Sequence, residues 1–127
     1  MKKGKDNRKA IFSAIRRLLK RYQPPFSPRS NFDSRFDLWI EKEIFFAGRE
    51  RKEMFFSSVI IQSNYVGFYF MPVYVKSDMK KIFGKELLAT LKGKSCFHIT
   101  ELTPTIERQI ASALRKGFSL YRKRGWA

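Results

Sequence analysis

The sequence predicts an α+β two-layer sandwich: an antiparallel sheet of about four or five strands, covered on one face by helices from the two ends of the chain. Three observations predict it. Apolar residues recur at helical spacing near both termini, the stretch between them switches to a period of two, and its first three strands follow one another through short turn-forming loops. The 127 residues suffice for a single domain spanning 1–127, and the 43% of apolar residues, with thirteen Phe among them, is enough to build one core.

Residues 7–22 place Ile11, Phe12, Ile15, Leu18, Leu19 and Tyr22 along one stripe, with Lys9, Arg16, Arg17, Lys20 and Arg21 largely opposite. Asp6 or Asn7 is placed to cap this helix, and residues 1–6 read as a disordered basic tail. Pro24, Pro25 and Pro28 force the chain out of helix, so residues 23–34 read as a stiff, extended connector. From Arg35 onward Phe36, Leu38, Ile40, Ile44 and Phe46 share one parity. Arg35, Asp37, Glu41 and Glu43 share the other, which predicts a half-buried strand with an acidic side toward water. Residues 47–52 read as a hairpin loop, 54–63 as a second strand, and 65–75 as a third strand in which Pro72 marks an end, a bulge or an edge.

Asp78 follows a serine in an N-cap pair for a short helix closed by Gly84, and residues 86–91 add a further helical turn or two. Residues 96–100 alternate as a last strand. Thr103-Pro104 then opens a closing helix whose inward stripe is Ile106, Ile110, Ala113, Leu114 and Tyr121. The predicted order is α-β-β-β-(short α)-β-α.

Composition excludes several classes. A single cysteine, Cys96, forms no intrachain disulfide, and with one histidine, His98, no Cys/His zinc cage is built within the chain. The longest apolar stretch, 66–75, is too short to span a bilayer, and no secretory h-region precedes it, so a cytoplasmic protein is expected. The phosphate-loop pattern fails because Leu88 stands where the turn around Gly93-Lys94-Ser95 would need a glycine. Cys96 and His98 share a strand face without an orienting third group, and no catalytic activity is expected.

The formal charge of +16 is uneven. Residues 1–30 carry ten basic residues against one acidic, residues 104–127 carry six against one, and the long middle is nearly balanced. Concentrated cations of this kind are a solvated helix face, a surface for a polyanion, either nucleic acid or an anionic membrane surface, or a contact for an acidic protein partner. The candidate contacts are Arg16, Arg17, Lys20 and Arg21 on the first helix, and Arg115, Lys116, Arg122, Lys123 and Arg124 on the last. Asp37, Glu41 and Glu43 form a second candidate set, as oxygen ligands for a hard or borderline cation. Trp39 and Phe45, whose parity opposes the core side, are candidates for an exposed aromatic patch.

The amphipathic first helix, the phrase Gly67-Phe68-Tyr69-Phe70-Met71-Pro72, the run Gly93-Lys94-Ser95-Cys96-Phe97-His98-Ile99 and the closing helix together resemble the YdhG-like family, a domain of unknown function. The resemblance covers nearly the whole chain in element order. It implies a frataxin-like fold and, as an alternative role, an iron chaperone for iron-sulfur cluster assembly. The ligands that role implies lie on a carboxylate ridge of the first helix and first strand, of which Asp37, Glu41 and Glu43 are present here.

Overall fold

The computed structural model describes residues 6–127. The basic tail expected at 1–6 lies, Asp6 excepted, outside the described residues. Helix α1 (Arg8–Lys20) forms where the apolar stripe dictates, and its inward face, including Ile11, Phe12, Ile15 and Leu19, is buried. Of the two candidate caps, only Asp6 meets a first-turn amide. Asn7 makes no side-chain cap and instead donates to the Thr100 carbonyl at 3.2 Å, while Asp6 accepts from the Arg8 amide at 3.1 Å.

The sheet has six strands, all antiparallel, in the order β1-β2-β3-β4-β6-β5. They are β1 (Asn31–Phe32), β2 (Arg35–Phe46), β3 (Arg49–Ile61), β4 (Val66–Phe70), β5 (Leu91–Lys92) and β6 (Cys96–Ile99). The count exceeds the expected four or five because β1 and β5 are two-residue strands, too short to leave any periodic signal. Between β4 and β5 run α2 (Pro72–Val75), a 3-10 turn over Ser77–Ile82 and α3 (Lys85–Leu88). The expected third strand therefore stops at Phe70, because Pro72 opens a helical turn at its first position instead of continuing the ladder.

The closing helix α4 (Pro104–Lys123) begins as expected, with the Thr103 hydroxyl accepting from the Ile106 amide at 3.1 Å. Helices α1 and α4 cover one face of the sheet. The core between them is aromatic: Phe26 stacks on Phe56 at 4.4 Å, and the Tyr121 ring meets Phe56 edge-on at 5.2 Å. At Gly117 an added Cβ would lie 2.6 Å from the Phe70 ring and 2.8 Å from the Pro72 ring, so glycine sets how closely α4 approaches β4 and α2.

Two expectations about the first hairpin are corrected. The loop predicted at 47–52 is a turn of two residues, Ala47 and Gly48, with φ of 57° and 75°. Both positive values define a type I′ turn, which matches the right-handed strand twist and lets the charged residues 49–52 join the ladder. The connector at 23–34 is not simply extended either. Phe26 is 1% exposed in the core, and Ser27 pairs with Trp39. The proline-rich segment is held by the sheet because Phe26 has a place to bury, while Phe32 stays exposed.

Candidate polyanion interface

The sequence places cations at the two ends of the chain, and the fold brings those ends side by side. Tyr22, just past α1, packs against Phe118 of α4 at a centroid distance of 5.3 Å. Burial raises the Tyr22 phenol above its ordinary pKa, while the nearby charges of Arg115 and Arg21 pull it the other way. The two guanidinium groups, ninety-four positions apart in sequence, therefore both act on one phenol. A groove of about 350 Å3 between the helices is lined by Leu18 and Arg21 on one side and by Pro104, Glu107, Arg108 and Ala111 on the other. Arg108 belongs to this seam, yet it escaped the sequence-based selection because it sits about two turns before the terminal cluster.

Helical geometry sorts the other candidates. Steps of 100° per residue put Arg17 and Arg21 on the α4 side of α1, and Arg115 and Arg122 on the α1 side of α4. Lys116 and Lys123 fall on the far shoulder of α4. Lys20 leans the other way, with its ammonium 5.9 Å from the Phe36 ring, and Arg16 lies over Phe12 at 5.2 Å. Arg122 covers Phe118 at 5.7 Å and Arg124 covers Trp126 at 5.2 Å, so these stems shield apolar rings while their charges stay outside. Among the described residues the ion pairs are Arg8–Asp6, Arg29–Glu53 and Lys76–Asp78, and none involves the nine selected cations.

The second candidate set does not assemble. Glu41 and Glu43 are exposed as expected, but Asp37, expected to face water, is 3% exposed. Its Oδ1 accepts from the Arg29 amide at 2.8 Å and the Ser30 amide at 2.9 Å, because residues 27–30 fold over that side of β2. It pins the segment leading into β1 to the sheet. Among the described residues no group of three or more His, Cys, Asp or Glu is placed to hold a metal ion.

Cys96 and His98 share the open face of β6, where Tyr65 lies flat on the His98 ring at 3.8 Å. Burial pushes the Cys96 thiol upward, opposite to what a nucleophile at neutral pH requires. Of the two aromatic candidates, Phe45 is exposed and Trp39 is half-buried, tilted against Phe55 at 5.2 Å and covered by the Arg29 guanidinium at 4.3 Å.

One grouping was not foreseen. Residues 76–94 hold six lysines against two acidic residues, and folding sets Lys80 and Lys94 beside the exposed Tyr74 around a cavity of about 260 Å3. The signal was present as a lysine-rich stretch but was averaged away in the nearly neutral middle of the chain.

No helix among the described residues is long and apolar enough to cross a membrane. Comparisons with protein-family models, with curated proteins and with solved structures return no match.

Proposed function

We propose that this protein is a non-enzymatic, YdhG-like binding module of the cytoplasm that uses the outer surface of α1 and α4 to hold a polyanion, nucleic acid first among the candidates and an acidic protein second. The observation that carries the reading is the convergence of Arg21 and Arg115 about Tyr22, together with Arg108 across the groove, in a chain whose charge is concentrated at the termini. Like charges brought together cost folding stability, and an anionic ligand that releases its own counterions offsets that cost on binding. Glu107 in the same groove interrupts the positive surface and gives the ligand's backbone a position to avoid.

Fluorescence anisotropy of a labelled DNA duplex and an RNA strand, titrated at low and at physiological salt, tests the proposal. Binding is expected to weaken steeply with salt, and the Arg21→Gln/Arg115→Gln variant to reduce the slope of log K against log salt by about two. Neutralising both helices without any change in affinity would remove the reading.

A further inference from the structure

We infer that the free edge of β3 is a homodimer interface, where residues 49–53 take the same segment of a second copy as an antiparallel neighbour and extend the sheet across a twofold axis. β3 spans Arg49–Ile61, but β4 pairs only with residues 57–61 of it. Past that point the Met71 amide donates to the Phe56 carbonyl at 2.9 Å and the chain turns away into α2. Among the described residues no strand occupies that side of residues 49–55, and those residues also line, with Trp39 of β2 and Met71, a cleft of about 480 Å3. An unpaired edge of this length is a template for a further strand.

The edge is regular. The two irregularities in the β2–β3 pairing place the extra residues at 42–43 of β2 and at Phe56 of β3, outside the free segment. The two-residue turn makes Phe46 and Arg49 the first hydrogen-bonded pair. The backbone groups of Arg49 and Arg51 therefore face β2, and those of Glu50 and Lys52 face the free edge.

The order of charges selects a second copy as the occupant. Set antiparallel against itself with Arg51 at the centre, the run Arg49-Glu50-Arg51-Lys52-Glu53 puts Arg49 opposite Glu53, whose carboxylate already holds Arg29, and Glu50 opposite Lys52, each pair occurring twice by symmetry. Arg51 alone meets its own kind, and its guanidinium is turned over the Phe46 ring at 5.4 Å. In the same register Glu50 and Lys52, whose amides point outward, fall opposite each other, as a hydrogen-bonded antiparallel pair requires. Charged side chains commonly guard a strand edge, and here their order makes the edge self-complementary. A twofold axis normal to the sheet leaves both helix layers on one side, so the inference neither needs nor hides the α1–α4 surface.

Sedimentation equilibrium of the full chain over about 10 to 300 μM reads the association directly. The wild type is expected to approach twice the monomer mass. Glu50→Lys and Lys52→Glu, which each create two like-charged pairs, are each expected to weaken association by about tenfold or more. Lys52→Glu lowers the net positive charge, so its weakening cannot come from general repulsion. The double variant Glu50→Lys/Lys52→Glu restores every pair at unchanged net charge and is expected to recover the dimer. Amide exchange at Glu50 and Lys52 is expected to slow as concentration rises. The inference is overturned by a wild type that stays monomeric throughout, by association indifferent to Glu50→Lys, or by a natively folded double variant that remains monomeric.

Discussion

The same two strands behave differently at their two ends. Where β2 and β3 lie beneath the helices, Phe36, Leu38, Phe56 and Val59 are fully buried, and β4 and β6 continue the sheet beyond them. At the far end, residues 41–53 form a two-stranded arm of alternating charges whose Phe45 is 68% exposed. One aromatic chain ties the arm to the helix layer: Phe46 meets Trp126 at 5.6 Å, Trp126 meets Tyr121 at 5.0 Å, and the Tyr121 hydroxyl donates to the Phe55 carbonyl at 2.6 Å. Strand pairing alone is marginal in water, so the covered end is held by extensive burial and the arm by its turn, the buried Ile44, the Arg29–Glu53 ion pair and this aromatic chain.

The largest break in that contrast is Phe56→Ala. It removes a ring touching Phe26, Phe70 and Tyr121 and is expected to cost about 3 to 5 kcal/mol in denaturant unfolding. Trp126→Ala is expected to cost somewhat less, about 2 to 4 kcal/mol, and to act unevenly. Hydrogen exchange should show amides of residues 44–51 losing protection while those of β4 and β6 keep theirs. Uniform loss would mean that the arm and the covered end unfold together. Gly117→Ala forces a methyl group toward Phe70 and Pro72 and is expected to cost about 1 to 3 kcal/mol, with m unchanged.

Tyr121→Phe is expected to cost about 1 to 2 kcal/mol, because the Phe55 carbonyl loses its donor. The same residue gives the contrast a pH dependence. Burial raises the Tyr121 phenol, so its folded pKa lies above the unfolded value of about 10. Its contribution is complete below that value and is lost as pH rises beyond it. Stability followed from pH 8 upward should fall faster in the wild type than in Tyr121→Phe. The smallest effect is at the chain's start. Arg8 holds the Asp6 carboxyl down to about 2, so the support it gives to α1 is present above roughly pH 4 and lost toward pH 2. Amide exchange at Arg8 should record that loss without a measurable change in global unfolding.

Much of the architecture was legible because period and burial are coupled. The stripe from Ile11 to Leu19 specified α1, Thr103-Pro104 specified the start of α4, and the alternation around Phe36 and Leu38 specified a core-facing strand. What escaped had no local signature. β1 and β5 are two residues each, and a two-residue turn with Ala47 at positive φ is not the dipeptide that turn chemistry favours. Asp37 sits at a polar position by parity, and only the segment folding over it removes it from water.

The candidate site divides along the same line. The sequence by itself determined that cations crowd the two ends of the chain, because charge is counted residue by residue, and that those ends are amphipathic helices, because a 3.6-residue period needs no partner to be read. That Arg21, Arg108 and Arg115 share one seam, that Asp37 is withdrawn from the acidic strand face, and that residues 49–55 keep an unpaired edge were decided only by tertiary structure. Each depends on which elements lie side by side, and that is set by long-range burial against the sheet and not by any local preference of the chain.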